Sequence, residues 1–182
     1  MDLNFKNKQL LFFTWFGWSL LLILSLIYAE ERILNIDGGF ILSKIINDPD
    51  DLPHHIMRPV MMMILTIPML FAKLSIKGKF LIYLISLLQV SISGFCIYWI
   101  NHRIKKPKYS LGLLLTLILF GNYSFYWSIG ELVYGMCFFW TWIAMIESED
   151  KFSLKEIPWI FLWATCHPTV FFVIGFYIKF FI

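Results

Sequence analysis

Charged residues are scarce in this 182-residue sequence, and their scarcity indicates its class. Asp, Glu, Lys and Arg together make up 15% of the chain, against about 25% in soluble domains. Hydrophobic residues reach 59%, with 19 Phe and 8 Trp. So much apolar surface requires lipid as its solvent, so we expect a protein that is integral to a membrane.

Several signatures of soluble enzymes and metal sites are missing as well. The sequence holds no Gly-rich phosphate loop, nucleophile elbow or zinc-binding helix motif. It shows no internal repeat, which disfavours a secondary transporter built on inverted repeats. Its three cysteines lack the spacing of a metal site and are interpreted as packing residues; they are Cys96, Cys137 and Cys166.

The apolar runs predict an all-α fold, a polytopic membrane helix bundle. The first run, Leu10–Ala29, is 20 residues long, enough to cross a hydrocarbon core of about 30 Å. A cleaved signal peptide is the alternative, but its apolar region would be shorter and would end in a small-x-small site. Four further runs bring the prediction to about five full spans in one domain, residues 1–182; they are Phe80–Ile100, Leu111–Phe125, Leu132–Ile146 and Ile157–Ile182.

The segment 59–73, PVMMMILTIPMLFAK, leaves the topology open. Its apolar part, about 14 residues, has the length of a re-entrant or interfacial helix, although continued through Ile76 it could cross if tilted. The basic cluster NHRIKKPK, residues 101–108, is expected in the cytoplasm, anchored on anionic lipid. If 59–73 does not span, the N-terminus is also cytoplasmic and loop 30–58 lies outside; if it spans, both are reversed. Charge does not decide, because the lysines of segment 73–79 oppose the first topology.

The stretch after the first run is unusually polar. Residues 28–59 hold six of the twelve acidic residues and two of the four histidines of the chain. Within it, DGGFILSKII (37–46) places three apolar side chains near one helical face, which is typical of a short interfacial helix. NDPDDLP (47–53) has the composition of a solvated turn. We therefore expect an outer polar loop over residues 30–58 that contains a short interfacial or re-entrant helix.

Two carboxylates at the ends of different helices form a candidate site. Asp37 lies at the membrane surface and could act as a general base or bind a metal. Its alternative environment is a plain surface, with an ion pair of Glu30 or Glu31 with Arg32. Glu131 stands between two apolar runs, where it also suits a helix N-terminus. In the five-span topology, both carboxylates lie on the outer face.

These residues carry a resemblance to a known family. The pattern ERILNIDGGFILSKIIN…HHIMRP…FAKLSIKGKFLIYLIS…NYSFYWSIGE resembles GT-C glycosyltransferases, and is similar to bacterial membrane proteins with a GT-C-like N-terminal half. In these, an E-R-x₄-D element is followed by a His-containing element that ends in Arg, and then by a Glu on the next outer loop. The resemblance implies catalytic roles for two carboxylates and phosphate or sugar contacts for three further residues: Asp37 and Glu131, then His54, His55 and Arg58.

The resemblance also implies a reaction and a location. GT-C enzymes move a sugar from a polyprenyl-phosphate carrier on the outer leaflet, here expected to be that of a bacterial inner membrane. They are longer than this chain, which would then correspond to an N-terminal half, with a partner chain completing the bundle. The family pattern favours five spans, with 59–73 along the outer face. The sequence does not identify a cofactor, and a divalent metal ion is the candidate.

His167 and the alternative function complete the predictions. His167 precedes Pro168, which frees a backbone carbonyl in mid-span. The imidazole either bonds that carbonyl or lies below the pocket of Asp37 and Glu131 as a substrate-binding group. The alternative to a transferase is a non-enzymatic multi-pass membrane protein, either a small transporter-like bundle or a partner subunit. Membrane lipid is an expected partner in both cases, whereas nucleic acid is not, because 101–108 has too few aromatics.

Overall fold

The computed structural model describes residues 3–30, 43–48, 59–74, 78–119, 131–148 and 154–166. Every regular element in these ranges is helical, which confirms the all-α prediction for this part of the chain. A π-helix extends the third long helix, a 3₁₀ helix precedes the last one, and residues 43–47 are helical. The long helices are α1 (Leu3–Ile27), α2 (Pro59–Lys73), α3 (Lys79–Trp99), α4 (Pro107–Leu119), α5 (Glu131–Ile146) and α6 (Ile157–Cys166).

Within the described ranges, two helices are long and apolar enough to cross a membrane. They are Asn7–Ile27, within α1, and Lys79–Ile104, which is α3 with its π-helical extension Ile100–Ile104. The remaining apolar helices are shorter: α4 has 13 residues, so it rises about 20 Å, and α5 has 16. Five full spans therefore remain a prediction, for which α1 and α3 have the required length.

Apart from α2, the helices alternate in direction along the chain. Trp18 of α1 packs on Gly94 of α3, and Glu30, just after α1, pairs with Lys79 at the start of α3. These two contacts make α1 and α3 antiparallel. We call the end of the bundle that holds Glu30 and Lys79 the loop end, and the opposite end, with residues 100–108, the turn end.

The later helices continue this alternation. Gly112 of α4 packs against Trp140 of α5, while Lys108, near the start of α4, bonds Glu147, just after α5. Helices α4 and α5 are therefore antiparallel, and α5 starts at the loop end. α6 packs along α5 and starts at the turn end.

α2 finishes at the loop end. Phe71 near its end lies 5.4 Å from Phe80 of α3, between ring centroids. Gly78 separates the two helices with φ of 74°, a left-handed conformation that glycine adopts without a steric penalty. α2 also packs against α6, so it belongs to the bundle rather than lying apart from it.

Polar side chains are found inside the bundle and large apolar ones outside. The buried polar residues of the described helices are Thr14, Ser25, Ser86, Gln89, Ser93, Asn101, Ser110, Thr141 and Glu156. On α1 the outward stripe is aromatic and aliphatic, with exposures of 43–65%: Phe12, Phe13, Phe16, Leu20, Ile23, Leu24 and Ile27. The other buried side chains are apolar, so the feature that departs from a water-soluble domain is the exposed apolar stripe of α1.

Tryptophan N–H groups link the helices. Trp18 Nε1 of α1 donates to Val90 O and Ser93 Oγ of α3, both at 3.2 Å. Trp140 Nε1 of α5 donates to Thr116 Oγ1 of α4 at 3.1 Å. Each ring lies over a glycine of the facing helix. Only glycine allows this approach, because a Cβ at the same position would overlap the indole. Close approach at glycine combined with interhelical hydrogen bonds is typical of helix packing in membranes.

Candidate functional site

The residues predicted for the site lie largely outside the described part of the chain. Glu131 is the first residue of α5, so its backbone is at the loop end, in keeping with its predicted place at a helix start. The other predicted residues are outside the described ranges: Asp37, His54, His55, Arg58 and His167. Their convergence with Glu131 stays a prediction.

The loop end has a described ion pair. Glu30 Oε1 lies 2.7 Å from Lys79 Nζ, with side-chain exposures of 36% and 75%. At such exposure the pair contributes little to stability, because water screens the two charges. The sequence did not indicate Lys79 as the partner of Glu30, for which an ion pair with Arg32 was considered. The pair ties the segment after α1 to the start of α3, and Lys73 at the end of α2 is exposed at the same end.

Part of the polar loop packs onto the bundle. Within helical residues 43–47, the side chain of Ile45 is only 1% exposed and belongs to the hydrophobic core. On the open side, Lys44 Nζ pairs with Asp48 Oδ2 at 3.4 Å, and Asn47 Nδ2 donates to Ser43 Oγ at 3.3 Å. Of the three apolar residues that the sequence placed on one face, Ile45 is buried, and Phe40 and Ile41 lie outside the described residues.

The turn end concentrates positive charge. Arg103 and Lys105 are exposed, and the Arg103 guanidinium lies 5.9 Å from the centroid of the Trp99 ring. Glu147 binds both neighbouring lysines: Lys108 Nζ donates to its Oε1, and Lys106 Nζ lies 3.8 Å from the same oxygen. One carboxylate therefore braces two of the four cations of this turn.

The backbone of the turn end is unusual. The π-helix Ile100–Ile104 ends at Lys105, whose φ of 62° is left-handed, and π-helical turns are frequent at functional sites. Inside, Ser110 Oγ lies 2.6 Å from Asn101 Oδ1 and 2.8 Å from Pro107 O. One hydroxyl proton serves only one of these oxygens. With the Asn101 amide turned over, its Nδ2 donates to Ser110 Oγ while the hydroxyl donates to Pro107 O, and both bonds form.

A buried carboxylate lies between the last two helices. Glu156 is 2% exposed, and its Oε2 accepts a hydrogen bond of 3.0 Å from Trp142 Nε1. The Trp142 ring packs at 5.4 Å on Trp163 of α6. A buried charge requires such donors because burial removes its hydration. Glu156 was not predicted from the sequence, where its one signal is an acidic residue directly before an apolar run.

The three cysteines come from three helices and are all fully buried. The Cys137 thiol of α5 lies beside that of Cys96 on α3, and Cys166 ends α6. Among the described residues, no group of three or more His, Cys, Asp or Glu is arranged to hold a metal ion. Burial at the helix contacts fits the predicted packing role.

Comparisons with protein families, with curated proteins and with solved structures found nothing that matches this chain. The GT-C resemblance therefore rests on the quoted sequence pattern alone.

Proposed function

We propose that this chain is a multi-pass integral membrane protein. The observation that carries the proposal is the outward face of α1, where large Phe, Leu and Ile side chains are exposed from Phe12 to Ile27. Only 11% of the most apolar 18-residue stretch of α1 is buried, against 56% of the corresponding stretch of α3. In water, an apolar helix as exposed as α1 would form a large hydrophobic patch prone to aggregation. In a membrane, lipid solvates the same surface.

We propose five spans, with α2 as a helix that does not cross. α1 and α2 both finish at the loop end, next to Lys79 and Phe80 respectively. A crossing α2 would have to start at the turn end, so the polar segment 31–58 would itself need to pass through lipid. That passage is costly for a segment with this many ionisable groups. The helix contacts thus support the choice that charge counting left open.

The short helices are compatible with this topology through their sequence. α4 ends at Leu119, but its apolar run continues to Phe125. The run of α6 likewise continues from Cys166 to Ile182. The run of α6 has 26 residues, and a span needs about 17–25. The run of α4 has 15 and comes to 19 when it is counted from Pro107, where the helix starts.

Cysteine labelling tests the topology. In a chain with Cys96, Cys137 and Cys166 replaced by Ala, a cysteine at position 50 should react with an impermeant maleimide in intact cells. A cysteine at position 105 should react only after the membrane is opened. Reaction of both positions in intact cells would exclude the proposed arrangement, and full extraction by alkaline carbonate would exclude membrane integration itself.

We further propose that the loop end holds a GT-C-like site for a lipid-linked sugar. Two described features support it: α5 starts at this end with Glu131, and Glu30, seven positions before Asp37, lies there as well. Glycosyl transfer needs a carboxylate to accept the acceptor's proton and cations to stabilise the departing phosphate. Asp37 would supply the first, and Arg58 with His54 or His55 the second.

The enzymatic test uses a conservative variant. Asp37→Asn preserves size and hydrogen bonding but removes the base, so transfer of radiolabelled sugar from a polyprenyl phosphate should fall by at least about 100-fold. Asp48→Asn is the matched control, because Asp48 pairs with Lys44 on the exposed side, and should retain activity. If wild-type protein transfers no sugar from any polyprenyl-phosphate donor, the alternative of a non-enzymatic bundle or partner subunit is favoured.

A further inference from the structure

We propose that the turn end is a binding site for an anionic phospholipid headgroup, formed by Arg103 and Lys105. The proposal rests on the membrane integration proposed above and adds a ligand class and the residues that select it. The ligand chemistry is a phosphodiester with net negative charge, carried by a lipid of the leaflet that faces this end.

The first support is uncompensated charge. Residues 101–108 contribute four cations, and Glu147 binds two of them, so these described residues together carry a net charge of +3. Within the described residues, neither Arg103 nor Lys105 has a carboxylate at ion-pair distance. Four to eight basic residues directly after a membrane helix are typical of anionic-lipid recognition.

The second support is the depth of the site. The ring of Trp99 underlies Arg103 at 5.9 Å, and Tyr109 lies 5.0 Å from Lys108 Nζ. Tyr and Trp concentrate at the level of lipid headgroups. Directly below, Phe95 and Tyr98 are exposed on α3 at 51% and 47%, so acyl chains have an apolar surface beneath the cations.

The third support is preorganisation. Lys105 has φ of 62° at the end of the π-helix, which fixes the turn between α3 and α4. Glu147 anchors Lys106 and Lys108 to the end of α5, so these two lysines brace the turn. Arg103 and Lys105 have no carboxylate partner among the described residues, so their charges remain available to bind the headgroup phosphate.

The test compares lipid binding by single-charge variants. The full chain is equilibrated with mixed micelles of phosphatidylglycerol and phosphatidylcholine, and bound lipids are counted by native mass spectrometry. Lys105→Gln should weaken the first phosphatidylglycerol about fivefold, and the double variant Arg103→Gln, Lys105→Gln about 20-fold or more. Phosphatidylcholine binding should not change. Lys73→Gln, an exposed lysine at the loop end, is the matched control and should behave as wild type.

A second variant reverses the sign. Glu147→Gln removes the negative charge beside Lys106 and Lys108 but keeps a side-chain oxygen that can accept from Lys108 Nζ. The turn stays braced while its positive charge increases, so affinity for phosphatidylglycerol should rise. Equal effects of Lys105→Gln and Lys73→Gln would overturn the proposal, as would weaker binding by Glu147→Gln. Displacement of the lipid by millimolar glycerol 3-phosphate would also overturn it, because the site would then serve a soluble phosphate.

Membrane integration is measured separately in the same preparations. Co-migration of the protein with phosphatidylcholine nanodiscs reports integration without any anionic headgroup. Protein that integrates but shows no phosphatidylglycerol preference contradicts only the headgroup site. Protein that fails to enter nanodiscs contradicts the proposed function on which the site depends.

Discussion

The contact between Gly94 and Trp18 makes a strong prediction about how α1 is held. An ideal Cβ on Gly94 would lie 2.5 Å from Trp18 Cζ2 and 2.8 Å from its Cε2, far inside van der Waals contact. The same indole donates Nε1–H to Val90 O and Ser93 Oγ of α3. Gly94→Ala must therefore push the ring away from the atoms it bonds.

Three terms set the expected size of the effect. Overpacking a close helix contact costs about 1–3 kcal/mol, and the weakened indole hydrogen bond costs about 0.6–1 kcal/mol. Against them, Ala is favoured over Gly in a helix by about 1 kcal/mol. The sum is a net loss of about 2 kcal/mol in the free energy of unfolding.

The assay is equilibrium unfolding of the purified protein by SDS in mixed micelles, followed by tryptophan fluorescence. Gly17→Ala is the control, at the contact between α1 and α4. Its Cβ would meet Leu114 Cδ2 at 2.5 Å, the end of a flexible side chain. Leu114 can change rotamer, so this variant should stay within about 1 kcal/mol of wild type. Combining Gly94→Ala with Trp18→Leu should abolish the penalty, because the clashing ring is gone.

A Gly94→Ala variant as stable as wild type, or more stable, would contradict close packing of Trp18 on Gly94. Helix propensity alone would then explain the result, and α1 would not pack on α3 through Trp18. An equal penalty in the Trp18→Leu background would also refute the proposed cause.

Two further predictions concern buried hydrogen bonds. Trp142→Phe removes the N–H group from which Glu156 Oε2 accepts a hydrogen bond. It should lower the free energy of unfolding by about 1–3 kcal/mol more than Trp163→Phe, which loses a similar ring volume in the same cluster. Equal losses in SDS unfolding would show that only packing matters. Ser110→Ala should lower the free energy of unfolding by about 1–2 kcal/mol, because the buried Asn101 amide loses its partner. Ser110→Thr keeps a hydroxyl and should recover part of the loss. An unchanged stability of Ser110→Ala would contradict the role of that hydrogen bond.

The sequence predicted the helices well and the contacts between them poorly. The run Phe80–Ile100 corresponds to α3, Lys79–Trp99, and Leu132–Ile146 to α5, Glu131–Ile146. Apolar composition over a long run is a local property, so it needs no knowledge of neighbours. Partner choice is non-local: Lys79 as the partner of Glu30 was not foreseen, and Glu147 was not connected with the lysines of 101–108.

The candidate site divides in the same way. Glu131 was predicted at a helix start, and it opens α5, since an acidic residue suits a helix N-terminus. Asp37 and its predicted companions lie outside the described residues, so their approach to Glu131 remains a prediction. Glu156 escaped selection because burial of a carboxylate depends on which aromatic rings surround it.

The sequence by itself determined the helical class and the apolar character of α1 and α3, because both follow from side-chain chemistry summed along one segment. Only the tertiary structure decided that α1 and α2 finish at the same end and that Glu147 neutralises part of the turn end. It also decided that Gly94 and Gly112 admit tryptophan rings. These facts depend on distances between residues far apart in the chain, set when helices minimise voids and satisfy buried polar groups together.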